Sequence, residues 1–230
     1  MKRENVRCDL RDPFVVYSDA HADLGSLARA LAKTPMSVRC RICLGDTIGY
    51  GKKPAPTLEL AKATMDVHLM GNHEYAAIDP EFRNTHMNRE ARKSVEQHAE
   101  EIGPENIEFI KGLEQKLSVG DYFFVHGSLR NPWDYVYFIS DAEQMFQDGD
   151  FRVAFVGNTH IPTIFELQKD GLVVAREVPE NYALAKFELN PRSRYIINVP
   201  SVSRPRKGYE KGGFVTVHRN IVNFNWFELG

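Results

Sequence analysis

Five stretches of this 230-residue chain set metal-capable side chains directly after short apolar runs. In FVVYSDAHADLGSL, Phe14 to Leu27, the run stops at Asp19 and His21. Residues i and i+2 of an extended chain point the same way, so this carboxylate and imidazole would leave a strand end on one side. CLGDTIGYG supplies Asp46, LMGNHEYA supplies Asn72 and His73, FVHGS supplies His126, and FVGNTHIP supplies Asn158 and His160. Four of the five stretches set such a residue beside a glycine, which lets the backbone turn sharply. An independent turn explains any one stretch, but hardly five in series. Carboxylate, amide and imidazole together make a donor set for a divalent cation.

Such residues converge if the runs before them are strands of one sheet system, since sites in open α/β sheets form beyond the carboxyl ends of the strands. FVVYS and CRICLG are continuous apolar runs, as expected for strands covered on both faces; VHLM, YFFVHG and VAFVGN continue the series. Helical patterns fall between the early runs: Asp23 to Lys33, Thr57 to Met65 after a Pro-rich turn, and the polar amphipathic Asn88 to Ile102. After Phe151 the strands crowd together (TIFEL, LVVA, LAKFEL, YIINV, FVTVH, IVNFNW), with turn signals between them that predict antiparallel hairpins. The expectation is an α/β chain passing from βαβα to mostly β. Without repeats, low-complexity segments or a long linker, residues 1–230 read as a single domain.

The composition is that of a globular protein, with 43% hydrophobic and 26% charged residues and a net charge of −2. No global basic field points to nucleic acid. No apolar run approaches the roughly 18 residues of a membrane span, and the charged MKRENVRCDLRDP lacks the apolar core of a secretory signal. Three cysteines make no disulfide framework. Cys40 and Cys43 read as buried strand residues, Cys8 as isolated, and the whole as a reduced, cytoplasmic protein.

D-x-H, G-D, G-N-H-E, H-G and G-x-T-H, in that order, resemble the signature of the calcineurin-like metallophosphoesterases. GDTIGYG, FVHGS and NVPSVSRPR are similar to the bacterial branch grouped with diadenosine tetraphosphatase and serine/threonine phosphatase relatives. The resemblance implies a four-layer αββα sandwich of two mixed sheets. It implies two divalent ions, Mn first, with Fe, Zn or Ni as alternatives. One would be held by Asp19, His21, Asp46 and His160, the other by Asp46, Asn72 and His126. His73 would then face the phosphate and assist the leaving group as acid or hydrogen-bond donor. The substrate would be a phosphate mono- or diester, a nucleotide being one option. The contrasting reading is a catalytically weak scaffold or binding module, as in the retromer subunit that shares the fold.

The chain departs from that pattern twice. Gly49 stands where many relatives carry the Asp that orients the G-N-H histidine, leaving Glu74 as a candidate for that task. Asn158 stands where G-H-T-H supplies a second-metal histidine, and an amide oxygen is the weaker donor. Asn198, Ser201 and Arg204 match a late family loop, with Arg204 a candidate for phosphate. Trp133, Tyr135 and Tyr137 are expected in the core, and His68, His86, His98 and His218 as structural or solvated residues.

Overall fold

A computed structural model describes residues 8–181 and 183–230; the charged stretch 1–7 lies outside the described residues. The N-terminal half runs β1 (Phe14–Tyr17), α1 (Leu24–Lys33), β2 (Cys40–Cys43), α2 (Pro54–Thr64), β3 (Val67–His68), α3 (Asn72–Ile78), α4 (Pro80–His86), α5 (Arg89–Glu101) and α6 (Gly103–Lys111). The rest runs β4 (Lys116–Val119), β5 (Tyr122–Val125), α7 (Ile139–Asp148), β6 (Val153–Val156), β7 (Thr163–Leu167), β8 (Val173–Glu177), β9 (Leu184–Glu188), β10 (Arg194–Asn198), β11 (Gly212–His218) and β12 (Ile221–Phe227).

The strands form two mixed six-stranded sheets, β3-β2-β1-β11-β12-β9 and β4-β5-β6-β10-β7-β8. The first pairs β1, β2 and β3 in parallel and the late strands antiparallel. In the second, β5, β6 and β10 run parallel at the centre. Alternation sorts their side chains. Phe14 and Val16 meet Phe124, Val153 and Phe155 between the sheets, while Val15 and Tyr17 face outward with Leu27 and Ala30 of α1. Ala154 and Val156 likewise face outward, with Ala142 and Met145 of α7. Phe14 meets Tyr122, Phe124 and Phe155 edge-on, with centroids 5.2–6.1 Å apart. Helices therefore cover the outer faces of the two packed sheets, as expected.

The helices have local causes. Asp23 caps α1 by accepting from Ser26 N at 2.9 Å, and Asn88 caps α5 by accepting from Ala91 N at 2.9 Å. α2 begins at Pro54, three residues earlier than the periodicity indicates, because proline suits a first helical position. The sequence reading passed over α3, α4, α6, α7 and β4.

The cysteines need a correction. Cys8 and Cys40 form a disulfide across 32 positions of sequence, and only Cys43 is free among the described residues. β2 presents Cys40 to the segment that leads into β1, whereas Cys43 lies at the far end of the strand. The cytoplasmic expectation therefore loses the support it drew from reduced cysteines. No helix among the described residues is long and apolar enough to cross a membrane.

Candidate metal centre

Most candidate ligands sit just beyond a strand, and five of them lie on backbone held in an uncommon conformation. Asp19, His21, Asp46, Asn158 and His160 all have φ between 45° and 64°. Non-glycine residues seldom occupy this left-handed region and stay there only where neighbours over-determine it. Here the turns brace one another. Asp19 N donates to Gly45 O, and His21 N to Asp46 O at 2.9 Å. Ser201 Oγ donates to Asp19 O at 2.8 Å, tying in the late loop. Gly71 packs so closely that an added Cβ would meet Asp46 Oδ1 at 2.2 Å.

Glu74 is the hub between two of these turns. Its buried carboxylate accepts from the backbone N–H groups of Asp46, Thr47, Ile48 and Gly71, at 2.7–3.2 Å. Burial first, and Asp46 second, push its pKa up to about 7 against the pull of those donors. Glu74 makes no hydrogen bond to His73, whose Nδ1 is buried without a partner. The expectation that Glu74 orients His73 is thus corrected. Tyr50 takes that place, its ring 4.8 Å from His73 and 4.9 Å from His21. Gly49, Tyr50 and Gly51 are themselves gripped by α5. His98 Nδ1 accepts from Gly49 N at 3.0 Å, its Nε2 lies 3.1 Å from Gly51 O, and Ser94 Oγ accepts from Tyr50 N at 2.9 Å. His98 is therefore a buried structural residue rather than a solvated one.

The donor atoms converge in two overlapping groups. In one, His160 Nε2 is 3.0 Å and His21 Nε2 3.7 Å from Asp19 Oδ1, and the two imidazole nitrogens are 3.1 Å apart. His21 Nδ1 lies 3.2 Å from Ile48 O and His160 Nδ1 lies 2.5 Å from Arg204 O. A carbonyl only accepts, so each Nδ1 carries a proton, and in the neutral imidazoles each Nε2 is a bare lone pair. Two lone pairs then face each other beside Asp19 Oδ1, which is itself buried with no hydrogen-bond partner. A cation between the neutral rings would relieve that repulsion, and the donor set fits one.

In the other group, His126 Nε2 is 3.1 Å from Asn72 Oδ1 and 3.4 Å from Asp46 Oδ2. Asp46 Oδ2 also lies 3.8 Å from His21 Nε2, so this one carboxylate faces both groups. Its other oxygen accepts from His73 N at 2.9 Å. Asn158 Nδ2 donates to Trp133 O at 2.9 Å, which identifies the remaining amide atom as the oxygen, available as a donor. Burial opposes ionisation of Asp19 and Asp46, yet His160 beside the first and His126 beside the second hold both below the usual carboxylate range. Burial also opposes charge on His126, but Asp46 outweighs it and pushes the imidazole up to about 9.

Asp46, Asn72, His73 and Asn158 line a cleft of about 50 Å³ together with Tyr50, His86, Tyr135 and Arg206. A larger cavity of about 400 Å³, beside Tyr137, Phe138 and Phe165, contains none of the candidate ligands; the donor chemistry, not the size, marks the site. Arg204 does not line the cleft: its guanidinium lies 4.0 Å over the Tyr50 ring and 3.0 Å from Glu90. The aromatic loop is another correction. Tyr135 and Tyr137 are 51% and 39% exposed rather than in the core, and Trp133 stacks on Tyr75 with centroids 4.9 Å apart. His86 is exposed and stacks on Phe82, whereas His68 donates to or accepts from Thr47 Oγ1 at 2.9 Å.

Two packed mixed sheets with clustered carboxylates and imidazoles at strand ends frame a candidate metal site, and comparison gives the family. The chain matches the family model described as calcineurin-like phosphoesterase over residues 12–197, and it belongs to that family. It is 26% identical to a metallophosphoesterase from Sphaerobacter thermophilus, whose structure superposes with a TM-score of 0.80 over 95% of this chain and 89% of the other. A hypothetical protein from Pyrococcus horikoshii shares the fold, with a TM-score of 0.73, 16% identity and coverage of 95% and 88%. An uncharacterised protein of Methanocaldococcus jannaschii is 27% identical over 212 residues, 89% of this chain and 82% of that relative.

Proposed function

We propose that this protein is a metal-dependent phosphoesterase that hydrolyses phosphate mono- or diesters, with Asp19, His21, Asp46 and His160 holding one divalent ion and Asp46, Asn72, His126 and Asn158 the other. The observation that carries the reading is the convergence of buried donors, with the His21 and His160 Nε2 atoms 3.1 Å apart beside Asp19 and facing Asp46. Mn suits the amide-containing second set, since carbonyl oxygen favours it over softer ions. When bound, two such ions lower the pKa of water and neutralise charge on phosphoryl oxygens.

The chain's own groups do the rest. Asp46 spans both ligand sets and fixes the His73 backbone through its other oxygen. His73 lines the cleft from the first turn of α3. No carboxylate meets its Nδ1 to support an imidazolium, so its part is to donate a hydrogen bond from Nε2 to the leaving oxygen. Tyr50 holds the ring in that orientation from one side.

The test is a panel of aryl phosphate and bis-aryl phosphate assayed after metal stripping and readdition of Mn, Fe, Zn, Ni or Mg. Turnover that returns with Mn, and that Asp46→Asn abolishes along with metal binding, supports the reading. No turnover with any metal would favour the scaffold function.

A further inference from the structure

One cation in the cleft has no counterion. Arg206 is half-buried and lines the same wall as Asp46, Asn72, His73 and Asn158. Among the described residues no carboxylate lies within 4.0 Å of its guanidinium, whereas neighbouring Arg204 is paired with Glu90 and Lys207 with Glu177. Its protein contacts are weak acceptors: Asn158 O at 3.5 Å and the Tyr135 side chain beside it. A partly buried guanidinium without an anion is costly unless an anionic ligand completes it.

The loop leading to it is also fixed. Ser201 Oγ accepts from Arg204 N at 2.8 Å and from Ser203 N at 3.2 Å while donating to Asp19 O. Ser203 Oγ donates to Ala20 O at 2.8 Å, and Val202 N to Ser18 O at 3.0 Å. The loop bearing Arg206 is thus pinned to the turn that presents Asp19. That pinning ends two residues before Arg206, whose side chain lines the cleft.

We propose that Arg206, steadied by Tyr135, binds a terminal oxygen of the phosphoryl group and selects phosphate monoesters over diesters. The proposal rests on the phosphoesterase reading and deepens it. A diester has two terminal oxygens sharing one negative charge, which two bound cations would neutralise. A monoester has a third terminal oxygen and nearly a second charge at neutral pH. The guanidinium fork matches that oxygen, and bonds between ionised partners are about twice as strong as neutral ones.

The experiment measures binding as well as turnover. Inorganic phosphate is titrated calorimetrically into Mn-loaded wild type, Arg206→Ala and Arg206→Lys, with metal content and circular dichroism recorded for each. The expected result is binding to wild type that weakens about tenfold or more in Arg206→Ala and recovers partly in Arg206→Lys, since a point charge replaces the fork. For an aryl monophosphate, KM should rise by a similar factor with kcat changing less. For a bis-aryl phosphate the loss in kcat/KM should be clearly smaller than for the monoester, because the third terminal oxygen is missing. Phosphate affinity unchanged in Arg206→Ala, or equal losses on both esters, would overturn the proposal. Phosphate bound through Arg206 by a protein that turns over neither ester would leave it standing and remove the enzymatic reading instead.

Discussion

Gly49 leaves room for His73: a Cβ on Gly49 would stand 1.9 Å from His73 Nδ1. The glycine also holds φ at +90°, which L side chains rarely adopt. The His73 ring fills the space that a side chain at position 49 would take, and Tyr50 packs against it. Gly49→Ala should therefore displace His73 without touching a ligand, and lower kcat about as much as His73→Ala does, in the range of roughly 10²–10⁴ expected for such a group. Metal content should stay the same in both variants. Full activity in Gly49→Ala would show that the ring does not need this space.

The two ligand sets differ in donor strength. The first holds two carboxylates and two imidazoles, whereas the second shares Asp46 and adds one imidazole and two amides. Stepwise filling on titration of stripped protein is expected, with the second site weaker. Asn158→His should tighten it by about tenfold, or 1.4 kcal/mol, and histidine tolerates the φ of 64° found there. Two equal sites in the wild type, or a second site no tighter in the variant, would count against this ligand assignment.

The Cys8–Cys40 disulfide predicts one reactive thiol, Cys43, in the denatured unreduced protein, and three after reduction. A crosslink closing a loop of this length constrains the unfolded chain, and Cys8→Ser should cost about 3 kcal/mol in chemical denaturation. Three thiols without reductant would show that the bond does not form in solution.

His68 gives a pH signature separate from catalysis. Its Nδ1 is enclosed without a partner, and burial lowers its pKa from 6.5 to about 4. The native state thus binds fewer protons than the unfolded one between those values. The stabilising contribution is complete above pH 6.5 and is lost as pH falls towards 4, by about 1.4 kcal/mol per pH unit at most. Comparing stripped wild type with His68→Phe cancels the other titrating groups. The difference in unfolding free energy should turn against the wild type between pH 6.5 and 4.5, and a pH-independent difference would contradict the buried neutral imidazole.

The clustering of donors was legible because they follow strand ends, which the apolar runs before Asp19, Asp46, His126 and Asn158 mark. Longer helices were legible where caps and periodicity agreed, as with Asp23 before α1 and Asn88 before α5. α3 was hidden because it opens on Asn72 itself and lasts 7 residues. The supports of the site lay out of reach for a different reason. His98 grips Gly49 across 49 positions, and Cys8 meets Cys40 across 32; no local pattern encodes such pairings. Arg204 and Arg206 are alike in sequence, and only the path of a pinned loop sends one onto Tyr50 and the other into the cleft.

The most direct measurement is hydrolysis of an aryl phosphate by stripped protein as Mn is added in known equivalents. Turnover should be absent at the start, rise with added metal and level off once two ions per chain are bound, with Asp46→Asn inactive throughout. Turnover that is indifferent to metal, or none at any metal load, would contradict the assignment of this cluster as a two-ion phosphoesterase centre.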